Sequence, residues 1–194
     1  GLVGSEMCIR DRYDREGNSL AEGEIHGQNG GYPIAIALSN DAVKLAVSMI
    51  NINEGSVKST IAFYNYGTVG QNEIDHCVGV NNYDDMVIPE MEFTSNDRMV
   101  AFGDTKAVIF EGAQKPQAIA EIPMDEKTKS IFYNEHYIGI VTGNEDEAVT
   151  NHLAVYDENG KLVMEKDFGL DYSSIEFLTN NEICIRNANV CDIY

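Results

Sequence analysis

Residues 87–112 read VIPEMEFTSNDRMVAFGDTKAVIFEG, and this stretch divides into strand, polar turn, strand, short loop and strand. The turn Ser95-Asn96-Asp97 carries side chains that bond their own backbone and tolerate left-handed geometry, so it ends the first run. The runs RMVAF and KAVIF are short and apolar, which is strand length rather than helix length.

The same grammar occurs three more times. Residues 32–67 contain YPIAIALSND, KLAVSMI and STIAFYNYG, and residues 129–161 contain KSIFYNEH, YIGIVTG and NHLAVYDENGK. Residues 171–194 contain DYSSIEFLTNN, EICIRNA and NVCDIY. Alignment on Ala37, Phe93, Phe132 and Phe177 gives steps of 56, 39 and 45 residues, which straddle the ~40–50 of one four-stranded blade. Leu45, Met99, Ile138 and Ile183 open the second strand, and the smaller Ala46, Val100, Gly139 and Cys184 follow. Tyr64, Phe110, Tyr156 and Tyr194 close the third strand.

These columns predict an all-β fold, a β-propeller fragment of about three four-stranded blades with partial blades at both ends. Residues 32–86, 87–123 and 124–170 are the expected blades, and 171–194 is an expected truncated blade. After the third strand, YDENGKLVMEKDF supplies a turn and an outer strand. YDREGNSLAEGEI copies it, so residues 13–31 are expected as the outer strand of a preceding blade. KLAVSMI and KAVIF are apolar on both faces, as a sheet covered on both sides requires. SNDAVKLAVSMI has helical propensity, but its equivalents RMVAFGD and YIGIVTG do not, so it is expected as strand. A β-sandwich also has many short strands with regular turns, but it leaves the fourfold triplet unexplained.

Residues 1–12, GLVGSEMCIRDR, resemble the translated read-through of a sequencing-library adapter and are set apart from the domain at 13–194. They hold two acids and two bases, so the net charge of -19 is unchanged by leaving them out. Such acidity argues against nucleic acid, whose phosphates require Lys and Arg, and against unaided adhesion to anionic lipid. An apolar fraction of 43% with ten Tyr and seven Phe fits a packed domain. No apolar run reaches the ~18 residues of a membrane helix, and no signal peptide is visible.

The triplets ALSNDAVKLAVS and IAFYNYG, with AVYDENGKLV, resemble propellers of the Trp-Asp-repeat and quinoprotein-like kind, although the chain has no Trp. From YPIAIALSND through NYGTVGQNEID to VIPEMEFTSNDRMVAFGD, the chain is similar to an uncharacterised propeller family of Clostridia-type bacteria. That resemblance implies a short cytoplasmic segment and one membrane helix ahead of an extracytoplasmic propeller. It carries no catalytic residues.

Cys184 and Cys191 fall on adjacent strands of the last hairpin. The columns place Cys184 in the small slot of Ala46 and Gly139, and Cys191 in the slot of Ile61, Ala107 and Leu153. Both therefore read as packing residues rather than as a bridge. His26, His76, His136 and His152 show no spacing that converges on a metal. His76 and the adjacent Cys77 point to opposite strand faces and cannot pair as base and nucleophile. The glycines of GTVG and GQNGG have no following helix to hold a phosphate and read as turn residues.

The acidic loops NNYDDM (81–86) and GNEDEAVT (143–150) are expected on one face with the aspartate of GLDYSS. Asp84, Asp85, Glu145, Asp146, Glu147 and Asp171 form this candidate binding face, for calcium or a basic partner, although their spacing matches no calcium loop. No catalytic, cofactor-binding or metal-ligating residue is assigned. The expected role is a non-catalytic binding, sensor or scaffold propeller for a protein or carbohydrate ligand, outside the membrane. The alternatives are a carbohydrate-active propeller enzyme, whose two carboxylates cannot be chosen among the thirty acids of residues 13–194, and a cytoplasmic interaction module.

Overall fold

A computed structural model describes residues 11–13, 19–22, 31–53, 55–67, 70, 76–144, 150–179 and 181–194. The first described strands are β1 (Asp11–Tyr13) and β2 (Ser19–Glu22). Next come β3 (Tyr32–Leu38), β4 (Lys44–Asn53), β5 (Ser56–Asn65) and β6 (Cys77–Asp84). These are followed by β7 (Glu90–Ser95), β8 (Arg98–Phe102), β9 (Lys106–Glu111) and β10 (Gln117–Pro123). The next four are β11 (Thr128–Tyr133), β12 (Tyr137–Asn144), β13 (Thr150–Asp157) and β14 (Leu162–Phe168). The last three are β15 (Ser174–Phe177), β16 (Ile183–Arg186) and β17 (Cys191–Ile193). The described residues contain no α-helix.

Each sheet is a meander of consecutive strands: β3-β4-β5-β6, β10-β9-β8-β7, β11-β12-β13-β14 and β15-β16-β17, besides the pair β1-β2. A sandwich would send strands across to a second sheet through Greek-key connections, and none does so among the described residues. The described residues cluster into two compact units, 1–104 with 110–118 and 105–109 with 119–194. Within the first, the leading strands β3 and β7 of successive sheets pack together, and within the second β11 and β15 do the same. Successive meanders joined at their first strands are the blades of a β-propeller.

Burial follows from that packing. Val100 and Ala101 on β8, and Ala107 to Phe110 on β9, are 0–1% exposed on both faces of the strand. A sheet covered on both sides tolerates no alternation of polar residues, which is why KAVIF reads as a continuous apolar run. β3 differs: Tyr32, Ile34, Ile36 and Leu38 are exposed on one face, while Ala37 is buried.

Register corrects one column. Leu45 lies opposite Tyr64 and Ile138 opposite Tyr156, so the second and third strands keep the alignment read from sequence. In the first strand, Phe93 and Phe177 lie opposite Met99 and Ile183. Ala37 and Phe132 instead lie opposite Ala46 and Gly139, one residue along. The hairpin turns differ in length, and a slip of one residue moves a side chain to the other face.

The hairpin β1-β2 pairs Tyr13 with Ser19 beside a bulge at Arg12. In the same way β13 and β14 pair Tyr156 with Leu162 beside a bulge at Val155. This geometry extends the likeness of YDREGNS to YDENGKL into three dimensions. It includes Asp11 and Arg12, which the sequence reading had set apart, and it supplies a third strand where one outer strand was expected.

Candidate functional site

Two clefts, each with a volume of about 290 Å³, hold residues of the predicted acidic face. The first lies on the sheet β3-β6, where two cross-strand rows share one face. Asn51, Lys58 and Asp84 form one row, and Met49, Thr60 and Asn82 the other. Lys58 Nζ is 3.0 Å from Asp84 Oδ1, and Thr60 Oγ1 donates to Asn82 Oδ1 at 2.9 Å. Residues 81–84 are therefore strand rather than loop, since the outer strand β6 keeps its ladder with β5 and needs no apolar face toward solvent. Asp85 follows in left-handed geometry (φ 52°), and its amide donates to Val57 O at 2.7 Å.

The second cleft is lined by Lys129, Ser130, Asn151, Asp171, Tyr172 and Ser173. Asn151 is buried and oriented from both ends: its Oδ1 accepts from Lys129 Nζ at 3.3 Å, and its Nδ2 donates to Leu170 O at 3.0 Å. Ser130 Oγ and Tyr172 OH lie 2.7 Å apart, and the Tyr172 ring rests on Phe168 at 5.6 Å between centroids. Gly143 makes room beside Lys129, because a Cβ there would overlap the lysine chain. Asp171 is exposed, and its carbonyl accepts from Asn187 Nδ2 at 2.9 Å. Ammonium, amide, hydroxyl and carboxylate groups thus line one cleft with an aromatic residue.

Of the predicted acidic face, Asp84 lines one cleft and Asp171 the other. Glu145, Asp146 and Glu147 lie outside the described residues. Among the described residues, no three His, Cys, Asp or Glu side chains come together as a metal site. His152 binds Asp167 across the β13-β14 ladder at 2.7 Å, and this hydrogen bond, with Glu165 nearby, raises its pKa. His136 sits in its turn, 3.5 Å from Glu158.

Two sets of structural residues escaped the sequence reading. Ser59, Thr105 and Asn151 each lie five residues before the aromatic that closes the third strand. Ser59 Oγ donates to Met86 O at 2.6 Å, as Asn151 does to Leu170 O, so both hold the link that leaves their blade. At Thr105 the carbonyl does this work, accepting the Met124 amide at 2.9 Å. A small polar residue inside an apolar strand was the signal available in the sequence.

The second set is in the polar turns, which interlock between neighbouring blades. Asn96 Oδ1 accepts the Asp41 amide at 2.9 Å, and Asn134 Nδ2 donates to Asn181 Oδ1 at 3.0 Å. Buried Lys44 donates to Asn96 O at 2.6 Å and pairs with Asp97. Burial opposes ionisation of Asp41. Hydrogen bonds from Ser39 and Val43, with Lys44 nearby, overcome it and hold the carboxyl below its ordinary value.

Cys184 is buried at 7% exposure, as its column predicts. Cys191 is exposed, whereas Ile61, Ala107 and Leu153 in the same column are 0% exposed. Among the described residues, Cys191 lies on β17, the outermost strand of a three-stranded sheet.

Residues 11–194 match a family of unknown function, DUF5711. The chain belongs to DUF5711. No curated protein sequence matched it. The propeller of this DUF5711 chain is similar to solved structures of low identity. One, described as a eukaryotic initiation factor, has a TM-score of 0.53 at 12% identity over 76% of this chain and 36% of its own. The uncomplexed acylaminoacyl peptidase of Pyrococcus horikoshii has a TM-score of 0.51 at 11% identity, over 84% of this chain and 30% of its own. The beta-propeller domain of the Trilobed protease from Pyrococcus furiosus covers 84% of this chain and 57% of its own, at 9% identity and a TM-score of 0.48. The first two show likeness of fold alone, and the third adds no argument. The DUF5711 chain spans between 30% and 57% of the length of these proteins. No helix among its described residues is long and apolar enough to cross a membrane.

Proposed function

We propose that this DUF5711 propeller is a non-catalytic binding module for a carbohydrate ligand, presented outside the cytoplasmic membrane. The cleft at Lys129, Asn151, Asp171 and Tyr172 carries the reading. Ligand sites combine a few fixed polar groups with aromatic surface. Here a buried asparagine orients an exposed lysine, and a tyrosine supplies both ring and hydroxyl. Such a set matches the alternating hydroxyls and apolar ring faces of a sugar better than it matches a purely anionic or apolar ligand. The extracytoplasmic setting rests on the resemblance to anchored bacterial propellers.

The test is affinity electrophoresis of the purified chain through gels containing a panel of bacterial and plant polysaccharides. Retardation by at least one polysaccharide is expected, weakened about tenfold, or roughly 1.4 kcal/mol, by Lys129→Met with Tyr172→Phe. Equal retardation of the variant would move the site elsewhere. Release of reducing ends would instead favour the carbohydrate-active enzyme, whose carboxylates must lie on both sides of a bound glycosidic link.

A further inference from the structure

Sequence columns treat Cys184 and Cys191 as unrelated packing residues, but the strand register brings them together. Cys184 lies opposite Ile193, and Cys191 opposite Arg186, so both thiols point to the same face on a diagonal. Their sulfurs are 3.4 Å apart. One side chain is buried and the other exposed. An S–S bond is about 2.05 Å long, so closure needs a movement of about 1.3 Å, within reach of side-chain rotation and a small shift of β17. That strand is short, with three cross-strand pairs followed by reciprocal amide–carbonyl hydrogen bonds between Ile183 and Tyr194.

We infer that Cys184 and Cys191 are an oxidisable dithiol whose disulfide staples β17 to β16. The exposed Cys191 is the attacking thiol. Its hydrogen bond to Cys184, followed by burial, raises the Cys184 pKa and keeps that thiol protonated in the resting state. With a small-molecule disulfide such as oxidised glutathione as the oxidant, Cys191 thiolate attacks one sulfur. A mixed disulfide forms and one glutathione thiolate leaves. Cys184 then loses its proton to solvent and attacks Cys191 Sγ, expelling the second glutathione. Two protein thiols give up two electrons and two protons, and one glutathione disulfide becomes two thiols. A diagonal bridge departs from the geometry of directly opposed pairs, and strained, accessible bridges are the readily reduced ones. The staple is therefore reversible, and it does not depend on the carbohydrate reading.

Trypsin cleaves after Arg186 and so separates the two cysteines into peptides 167–186 and 187–194. The folded chain is incubated with oxidised glutathione, alkylated and digested without reductant. The expected product is the two peptides joined, two hydrogens lighter than their sum, and separated by dithiothreitol. Cys191→Ser, at an exposed position, should fold with an unchanged circular dichroism spectrum and give no joined peptide. Glutathione retained on Cys191, or both cysteines recovered alkylated, would overturn the inference.

Discussion

At Gly139 the missing side chain has a neighbour to answer to. The residue lies opposite Phe132, and a Cβ built there would fall within the phenylalanine ring. That ring in turn packs on Phe177 at 4.6 Å between centroids, so it cannot swing away without opening the cluster around Val141, Leu153 and Ile185. Replacing glycine by alanine in a strand ordinarily gains about 0.5–1 kcal/mol from backbone entropy. Overpacking a filled core costs about 1–3 kcal/mol, and the overlap here is direct enough for that to dominate. Gly139→Ala should lower stability by about 1–2 kcal/mol in urea titration. An unchanged or raised midpoint would mean that Phe132 yields. The small-residue column was legible in the sequence, whereas the aromatic opposite Gly139 was not, and it stands at this position alone: Ala46 faces Ala37, Val100 faces Glu92 and Cys184 faces Glu176.

The links between blades raise the question of where carbonyls outside the ladders find donors. Met86 O and Leu170 O lie where the chain leaves one sheet for the next, beyond either ladder. Side chains of Ser59 and Asn151, 27 and 19 residues earlier, satisfy them. A buried acceptor left unpaired costs about 1–3 kcal/mol, whereas exposed substitutions usually stay within about 0.5 kcal/mol. Asn151→Ala should therefore destabilise by about 1–3 kcal/mol, and Ser173→Ala at the same cleft should not. Equal effects in chemical denaturation would show that water replaces the amide. The polar column containing Ser59 and Asn151 is visible in the sequence. Its partners are not, because a carbonyl carries no residue-specific mark.

For the whole chain, charge is the dominant electrostatic fact: 32 acids against 13 bases leave -19. Like charges at this density oppose the compact state, and salt shortens their reach from about 30 Å at 0.01 M to about 8 Å at 0.15 M. The exposed pairs Lys58–Asp84 and Arg186–Glu176 weaken with salt instead, but such pairs are worth only about 0.2–1 kcal/mol each. Net repulsion should prevail. Raising NaCl from 10 to 150 mM should gain roughly 1 kcal/mol, equivalent to about 2–4 °C in melting temperature. A flat or falling midpoint would assign stability to the paired charges instead.

The four strand triplets, their turns and the repeat were readable from the residues, because apolar runs and Ser-Asn-Asp turns are local signals, whereas β1 and the strand at residues 81–84 were not. Blades apolar on both faces, as at Ala107–Phe110, announce their covered sheets in the same way. Tertiary structure alone decided the register of the first strands, which separates Ala37 and Phe132 from Phe93 and Phe177. It also decided the exposure of Cys191, the contact between its sulfur and that of Cys184, and the pairing of Asp84 with Lys58. All but the exposure of Cys191, which follows from the outermost place of β17 in its sheet, depend on which residue lies across the ladder. With a side-chain period of two, one residue more or less in a turn reverses the answer.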